Sequence, residues 1–322
     1  MSGKRICGAF IAWRKVSPRT RDLAKELNLD LIFLKGFPPY IHESLKLLNK
    51  LLSSTQYDAI FVQVPQGLLL SETSFLKRFK SYVLVADVHT GFILPDSFKL
   101  RTLNVPFKAA LRRANIIILH NHDIKCLLDE ASQERVVIVY DPPIRNYEWK
   151  GGGSYAVIPS SGHRDEPIAP IIKAVAKAKV FDALLITGSH RPTTYYINGV
   201  KITYTGYVKD DIYWDLLRHA LLVIALTRRE FTFLRAAWEA LCIGAPFILS
   251  YTRTLRRMYR ELPEWAFMKS YDIHSLIKIL QRTSQKYDEL LSDVRTVRKE
   301  LTAEAKWQLE ELKDAVIRAV LR

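Results

Sequence analysis

One acidic residue, Glu239, interrupts an apolar helical segment between Ala236-Ala237-Trp238 and Ala240-Leu241. A carboxylate is costly to bury there unless a partner compensates its charge and completes its hydrogen bonds. One suitable partner is a ribose diol, because a carboxylate accepts the protons of both hydroxyl groups. The other is a nearby arginine, which would make Glu239 half of an internal ion pair. The residue therefore predicts either a nucleoside-binding carboxylate or a structural salt bridge.

Two loops of the same half have the composition of a diphosphate site. In Ser160-Ser161-Gly162 the residues are small enough for phosphates to approach the backbone, and Arg164 follows with a positive charge. The loop before the helix of Glu239 offers backbone N–H groups, which are suited to an anion at a helix start. Arg228-Arg229 in this loop and Arg235 in the helix could add charge. These residues predict binding of a nucleoside diphosphate.

The elements that must position these residues alternate between apolar, strand-like runs and amphipathic stretches. Runs rich in Val and Ile without polar alternation predict parallel sheets buried on both faces. The pattern breaks at Asp141-Pro142-Pro143 and at the glycine-rich segment 150–154, which we interpret as a linker. We predict an α/β protein with Rossmann-like domains over 1–150 and 151–283, followed by an amphipathic helical segment over 284–322 that packs on the surface. The two β/α/β domains would face each other across a cleft, where open parallel sheets bind ligands.

A family resemblance appears in Glu239-Ala240-Leu241-Cys242-Ile243-Gly244-Ala245-Pro246-Phe247-Ile248. This segment resembles the Glu-Ala-(Leu/Met)-Ala-x-Gly-x-Pro-(Val/Phe)-Ile signature of retaining GT-B glycosyltransferases of the family-four group. Gly188, at the end of an apolar strand, and Gly206-Tyr207-Val208 stand in the order in which that family builds its base pocket. The resemblance covers roughly 154–250, and 1–150 only by its pattern of elements. It implies a GT-B fold with the nucleotide-sugar donor in the C-terminal domain and the acceptor in the N-terminal one. Glu239 would hold the ribose.

The chain departs from that family in the spacing of its glutamates. The family separates two glutamates by seven residues, whereas eight lie between Glu230 and Glu239. Phe231 occupies the seven-spaced position and is followed by Thr232. By the resemblance, Glu230 contacts the transferred sugar if the loop is one residue longer, and otherwise that carboxylate is absent. Together with Arg228, these loop residues are our candidates for donor contacts.

In the N-terminal half, the apolar run 82–86 leads into Asp87-Val88-His89-Thr90-Gly91. A side chain at the end of a parallel strand lies at the edge where such folds bind ligands. The resemblance implies that His89 hydrogen-bonds the transferred sugar and acts with Glu230 in catalysis. The alternative is a structural histidine whose hydrogen bonds are internal. Asp87 is a second candidate, with a role in orienting the loop.

The run His120-Asn121-His122-Asp123 also follows a strand and precedes a helix. Its histidines invite a metal or nuclease hypothesis, but no further ligand pattern accompanies them. Asn121 is more typical of a helix N-cap, and His120 could line the ligand-binding edge.

The net charge of the chain limits the classes of possible binding partner but does not select one of them. The net charge is +15, with lysines and arginines spread along the chain, which suits phosphorylated small molecules, an anionic membrane surface or nucleic acid. No nucleic-acid-binding motif is present, so nucleic acid is not expected.

Aromatic and basic residues are mixed in Trp13-Arg14-Lys15 and in Lys35–Tyr40. We expect these loops to contact the acceptor or lipid head groups; the alternative is ordinary solvated loops.

The sequence also predicts the compartment and the reaction. No apolar run reaches the roughly 18 residues of a membrane-spanning helix, no cleavage site follows the first apolar run, and Cys7, Cys126 and Cys242 lack metal-ligand spacing. We expect a cytoplasmic protein, at most peripheral on the inner face of the membrane, with no metal and no cofactor besides its nucleotide-sugar substrate. The predicted reaction is transfer of a sugar, with retention, to a glycan or lipid-linked acceptor. The alternatives are a non-catalytic GT-B-like nucleotide-binding protein and, third, a basic nucleic-acid-binding protein.

Overall fold

The computed structural model of the chain describes residues 6–35, 41–53, 57–64, 67–95 and 98–322. The chain forms two compact units. Unit 1 consists of Met1–Pro142 together with Glu304–Arg322, and unit 2 of Pro143–Ala303. In the aromatic and basic segment Lys35–Tyr40, only Lys35 lies within the described residues.

Unit 1 is built on a six-stranded parallel sheet. Its strands are β1 (Gly8–Trp13), β2 (Asp30–Leu34), β3 (Ala59–Val64), β4 (Val83–Val88), β5 (Ile116–Leu119) and β6 (Val136–Ile138). Their order is β2-β1-β3-β4-β5-β6, so the winding reverses between β1 and β3. Strands β1, β3 and β4 are buried along their whole length, as expected for strands covered on both faces. The reversal leaves a crevice at the carboxyl ends, where such sheets bind ligands.

Helices connect these strands. They are α1 (Pro18–Glu26), α2 (Ile41–Ser53), α3 (Gly67–Leu76), α4 (Thr90–Ile93), α5 (Phe98–Leu111) and α6 (Glu130–Gln133). Helix α1 starts at Ser17-Pro18, a pair typical of a helix start, with Ser17 accepting the Thr20 N–H at 3.0 Å and Pro18 in the first turn. Helix α5 runs through Pro106, a residue type that ordinarily ends or kinks a helix, while packing against α3.

Unit 2 is built on a seven-stranded sheet. Its strands are β7 (Tyr155–Ile158), β8 (Ala183–Thr187), β9 (Thr193–Ile197), β10 (Val200–Gly206), β11 (Leu222–Ala225), β12 (Phe247–Ser250) and β13 (Phe267–Met268). The order is β13-β12-β11-β7-β8-β10-β9, with the reversal of winding between β7 and β11. The helices are α7 (Ile168–Ala178), α8 (Asp210–His219), α9 (Arg235–Ile243), α10 (Arg253–Met258), α11 (Ile273–Gln285) and α12 (Tyr287–Val320). The crevice expected from this order lies at the carboxyl ends of β7 and β11.

The hairpin of β9 and β10 was not predicted from the sequence. Its strands are antiparallel, with Ile197 opposite Val200, and the turn is Asn198-Gly199 with φ angles of 52° and 88°. Asn-Gly is the typical two-residue turn between antiparallel strands, because both positions need positive φ. The Asn-Gly signal for this hairpin was therefore present in the sequence, beside a strand whose apolar pattern predicts parallel pairing.

The glycine-rich segment is part of unit 2 rather than a free linker. The N–H groups of Lys150 and Gly151 donate to Arg218 O at 2.8 and 3.0 Å, and that of Gly153 donates to His219 O at 3.0 Å. A Cβ at Gly153 would lie 2.3 Å from His219 O. These glycines allow the backbone to approach the end of α8, so the boundary between the units lies earlier, at Pro142.

The last helix, α12, is amphipathic as predicted, but its end belongs to a core. Its apolar residues at helical spacing are all buried: Leu301, Ala305, Leu309, Leu312 and Val316. Three of them, Leu309, Leu312 and Val316, pack in the hydrophobic core of unit 1 with Phe10 and Phe61. The chain from Glu304 onward therefore completes unit 1.

The predicted α/β class with two Rossmann-like domains is confirmed. Within the described part of the chain, no helix is both long enough and apolar enough to cross a membrane.

Candidate functional site

The residues predicted to bind the donor gather at one edge of the unit 2 sheet. Ser160-Ser161-Gly162 follows β7, Gly188 follows β8, Tyr207-Val208 follows β10 and Arg228 follows β11. All four strands are parallel to one another, so these positions share the carboxyl edge that holds the reversal of winding. This is the edge at which open α/β sheets bind ligands.

Two glycines let the loops of this edge pack closely. Gly188 has a φ of 101°, and a Cβ there would lie 1.9 Å from Ser160 O. Gly162 has a φ of 76°, and a Cβ there would lie 1.8 Å from Ser189 Oγ. Both positions have positive φ, which glycine adopts without strain, and the close neighbour is a backbone carbonyl at Gly188 and a serine side chain at Gly162. The loop after β7 is therefore held against the loop after β8.

The donors of the Ser160-Ser161-Gly162 loop are occupied by the carboxylate of Glu166. This carboxylate accepts from Ser160 Oγ and Ser161 Oγ, both at 2.5 Å, and from the Ser161 N–H at 2.9 Å. The Gly162 N–H donates to it at 3.3 Å. The anion at this loop is thus an internal carboxylate, and the binding of a diphosphate there stays a prediction. Glu166 was not among the predicted site residues.

His190 and Ser189 also contact the Ser160-Ser161-Gly162 loop. His190 Nε2 lies 3.0 Å from Ser160 Oγ, and its ring packs edge-on against Tyr204 at a centroid distance of 5.0 Å. Ser189 Oγ donates to Ser161 O at 2.9 Å. Both residues follow Gly188 directly, and no motif singles them out in the sequence. Arg164, by contrast, is exposed beside the loop.

A second cluster ties the loop after β11 to its neighbours. Thr227 Oγ1 donates to Asp165 Oδ2 at 2.6 Å, and the Thr227 N–H donates to Ser250 Oγ at 2.8 Å. Tyr271 Oη donates to Ser250 Oγ at 2.6 Å. The Arg228 guanidinium lies 5.1 Å from the centroid of the Tyr271 ring, a cation–π contact. The backbone and side chain of Arg228 are thereby positioned at the sheet edge.

Glu239 lies in α9 with 7% of its surface exposed, and its carboxylate has internal partners. Arg235 Nε donates to Oε1 at 2.7 Å, one helical turn away, and Tyr213 Oη donates to Oε2 at 2.5 Å. Burial, followed by the Glu239 charge, raises the pKa of the Tyr213 hydroxyl well above its ordinary value, so this group stays a proton donor. The ion pair that the sequence left as an alternative is therefore present.

The carboxylate of Glu230 caps a helix. It accepts the N–H of Arg253 at 3.0 Å and lies 3.5 Å from the N–H of Thr254, at the first turn of α10. A carboxylate is favourable there because the helix dipole places positive charge at this end. The next residue, Phe231, has a φ of 61°, and Thr232 Oγ1 lies 3.4 Å from Glu230 O. The loop thus turns sharply after Glu230, which is where its spacing departs from the family pattern.

In unit 1, three buried charges lie at the carboxyl end of β4. Arg19 Nε donates to Asp87 Oδ1 at 3.0 Å, and Arg19 Nη1 donates to Asp141 Oδ1 at 2.8 Å. None of the three side chains is more than 5% exposed. Burial acts to raise the pKa of Asp87, but the Arg19 guanidinium and, next, the contact with His89 together outweigh burial and hold that pKa well below its usual range. Arg19 was not identified from the sequence, because its partners lie far away along the chain.

His89 lies beside this cluster. Its Nε2 is 3.4 Å from Asp87 Oδ2, and 26% of its side chain is exposed. Its ring meets that of His120 edge-on at a centroid distance of 5.8 Å. His120 Nε2 in turn lies 3.1 Å from Thr90 Oγ1. Burial, and next the charge of Arg19, lowers the pKa of His120 to about 3, so this ring is neutral at neutral pH.

Two further predictions in unit 1 have definite outcomes. Asn121 Oδ1 accepts the Ile124 N–H at 3.0 Å at the start of the 3-10 turn Asp123–Leu127, the capping role favoured by the sequence. Trp13 is fully buried in β1, so the prediction that this side chain contacts acceptor or lipid head groups is corrected: it is a core residue. Arg14 and Lys15 are exposed.

Comparison with known proteins identifies the fold. No protein-family model and no curated protein matches the sequence. Among solved structures, sucrose-phosphate synthase from Thermosynechococcus elongatus matches with a TM-score of 0.74 and 13% identity, over 98% of this chain and 100% of that one. A glycosyltransferase from Rickettsia africae ESF-5 matches with a TM-score of 0.72 and 11% identity, over 99% and 100%. Anabaena Alr3699/HepE in complex with UDP and glucose matches with a TM-score of 0.70 and 12% identity, over 98% and 99%. The chain therefore has the GT-B fold of these structures.

Proposed function

We propose that the protein is a glycosyltransferase that takes its sugar from a nucleoside-diphosphate donor bound by unit 2. The proposal depends on one observation: the candidate donor-binding residues lie together at the carboxyl edge of this sheet. They are the Ser160-Ser161-Gly162 loop, Gly188, Tyr207, Arg228 and the start of the helix of Glu239. The fold supports it, since HepE is solved with UDP-glucose and starch synthase IV with ADP and acarbose. Fold likeness alone would not assign a function.

The proposal assigns each part of the donor to a group of residues. The diphosphate takes the Ser160-Ser161-Gly162 loop, with Arg164 and Arg228 supplying positive charge. The nucleobase lies near Gly188 and Val208 and stacks on Tyr207, a residue that is 75% exposed. The sugar end of the donor takes the segment from Glu230 to Thr232. Charge that develops on the leaving diphosphate is stabilised by the same N–H groups and arginines.

Glu239 can take the ribose while keeping its present partners. Each carboxylate oxygen has two lone pairs, and Arg235 and Tyr213 use one on each oxygen. A carboxylate can accept the protons of two vicinal hydroxyl groups, which is the contact that we propose for the ribose. In this proposal Arg235 and Tyr213 orient the carboxylate for the ribose diol. Glu239 would then be both an internal ion-pair partner and the ribose ligand, the two alternatives that the sequence left open.

A ligand screen tests the proposal. A nucleotide present at 10 to 100 times its Kd stabilises the folded state by about 1.4–2.7 kcal/mol, which raises Tm by several degrees. We expect this shift for at least one of UDP, ADP and GDP, or for one of their sugar conjugates, in differential scanning fluorimetry. Inorganic pyrophosphate, which has the diphosphate group without the nucleoside, is the control and should give a smaller shift. If none of the nucleotides raises Tm above that control, the donor site is refuted.

Glu166 should compete with the donor for its loop. An incoming diphosphate has to displace the carboxylate from the four donors that now bind it, whereas an amide is held more weakly because it is neutral. We expect Glu166→Gln to tighten nucleoside-diphosphate binding about three- to tenfold in calorimetry, or about 0.7–1.4 kcal/mol.

Asp165→Asn is the matched control for this effect. It removes the same charge one residue away, but Asp165 binds Thr227 rather than the loop. Equal tightening in both variants would mean that only net charge matters, and weaker binding in Glu166→Gln would mean that Glu166 helps to hold the nucleotide.

For the reaction itself, we propose that His89 and Glu230 contact the transferred sugar and that the anomeric configuration is retained. The acceptor is a glycan or a lipid-linked sugar, with Arg14 and Lys15 exposed near β1 to meet it or an anionic membrane. The family resemblance supports these assignments.

One observation favours a second candidate, a GT-B protein that binds nucleotide without transferring sugar. The Glu230 carboxylate is engaged with the first turn of α10. If capping is its whole role, Glu230→Gln should lower stability by about 0.5–1 kcal/mol and leave turnover unchanged. In the enzyme, turnover should fall as well, and a radiolabelled-donor transfer assay separates the two.

A further inference from the structure

The side chain of Asp87 is fixed by more than one contact. Its Oδ1 accepts from Arg19 Nε at 3.0 Å, and Arg19 is itself anchored by the bond from Nη1 to Asp141 Oδ1 at 2.8 Å. The backbone of Asp87 lies in β4, in register with Gln63 on one side and Ile118 on the other. With both its backbone and one oxygen held, the carboxylate has a single orientation, and its second oxygen, Oδ2, has a fixed direction.

That second oxygen is directed at His89. Asp87 Oδ2 and His89 Nε2 are 3.4 Å apart, and both atoms are buried. Within the described residues neither atom has another hydrogen-bond partner. A buried polar atom without a partner costs stability, so each of these two atoms is the natural partner of the other. A small rotation of the imidazole closes the distance.

The remaining contacts of His89 leave the ring little other freedom. Its N–H donates to Val64 O at 3.1 Å, which fixes the backbone. The His120 ring stands edge-on against it and is buried and neutral. A quarter of the His89 side chain is nevertheless exposed at the carboxyl end of β4.

We propose that Asp87 is a positioning residue that fixes the orientation and the tautomer of His89, keeping the proton on Nε2. The rest of the ring then meets the ligand with Nδ1 as an acceptor. The proposal rests on the proposed function for its catalytic consequence, but the state of the imidazole can be measured without it.

Asp87→Asn makes a distinctive prediction. Arg19 Nε is a donor, so it binds the oxygen of the new amide and turns the amide NH₂ toward His89. His89 Nε2 must then accept, and the proton moves to Nδ1. We expect the ¹⁵N spectrum of histidine-labelled protein, with the His89 signals assigned by loss in His89→Gln, to change from the Nε2–H to the Nδ1–H tautomer. Transfer should fall roughly ten- to a hundredfold in kcat, with little change in donor KM, because the reacting group is misoriented.

Asp141→Asn is the matched control. It makes the same chemical change in a similarly buried aspartate that binds a different nitrogen of the same Arg19. We expect it to lower stability, to leave the His89 tautomer unchanged and to keep kcat within about threefold, an effect below 1 kcal/mol.

The outcomes separate the two proposals. If His89 keeps the same tautomer in Asp87→Asn as in the wild type, the positioning role is wrong. If Asp87→Asn and Asp141→Asn lower kcat equally, Asp87 acts only through stability, and the role is again wrong. If the tautomer changes as expected but the wild type transfers no sugar, the positioning role stands and the proposed function fails.

Discussion

Replacing His89 by alanine should lower sugar transfer about ten- to a thousandfold, equivalent to about 1.4–4 kcal/mol of activation barrier. His89 ends β4 at the ligand-binding edge of unit 1, next to a fixed carboxylate and with part of its ring exposed. A contact that strengthens in the transition state changes turnover more than binding. Nucleoside-diphosphate affinity should therefore barely move. Initial rates with a radiolabelled donor and calorimetry with the nucleotide measure the two quantities on the same preparation.

His122→Ala is the control for this variant. His122 is an exposed histidine in the loop after β5, and its loss should leave both rate and affinity unchanged. A wild-type rate in folded His89→Ala would remove His89 from the reaction. A parallel loss of nucleotide affinity would show that His89 serves the fold or the donor site instead.

Replacing Arg19 by methionine should destabilise the protein by about 3–5 kcal/mol at pH 7. The substitution keeps most of the apolar volume but leaves Asp87 and Asp141 buried without their cation. Arg19→Lys keeps the charge but lacks the planar fork whose two nitrogens reach both carboxylates. Its stability should lie between those of the wild type and of Arg19→Met. Urea unfolding followed by circular dichroism gives the free energies, and a loss below about 1 kcal/mol would mean that the cluster is not the buried network described above.

The sign of the pH dependence distinguishes the variant from the wild type. In the wild type, Arg19 holds the pKa of Asp87 below its unfolded value, so the stability from this pair is present above roughly pH 4 and is lost as the pH falls through the folded pKa. Without Arg19, burial raises the pKa of Asp87, and acid then favours the folded state. The Arg19 charge also helps to lower the pKa of His120, so its removal raises that pKa. This change likewise makes acid less unfavourable for the folded state of the variant. The destabilisation caused by Arg19→Met should therefore shrink between pH 7 and pH 5.

The sequence predicted the elements whose causes are local. Ser17 and Pro18 mark the start of α1, the Val- and Ile-rich runs form parallel strands, and Asn121 caps a turn, because each depends on neighbouring residues. The same reasoning placed the donor candidates at strand ends, and the parallel sheet then brings those ends to one edge. Local signals can also mislead, as at Pro106, which lies inside a helix, and at Gly153, which packs against α8.

The partners of the candidate residues could not be predicted, because they come from distant parts of the chain. Arg19 meets Asp87 and Asp141 only when β4 and the segment after β6 are folded beside α1. The ion pair of Glu239 with Arg235 could be anticipated from their spacing of one helical turn, but its bond to Tyr213 in α8 could not. These distant partners decide how each candidate side chain is oriented.

The central claim, that unit 2 binds a nucleoside diphosphate with Glu239 on the ribose, is tested most directly by calorimetric titration of the nucleotide selected in the ligand screen. Glu239→Ala should weaken binding by about 1–3 kcal/mol, the cost of leaving ligand hydroxyl groups without partners. Tyr213→Phe, which removes a partner of the carboxylate but leaves the carboxylate itself, should weaken binding by less than about 1 kcal/mol. Unchanged affinity in a folded Glu239→Ala variant would contradict the account.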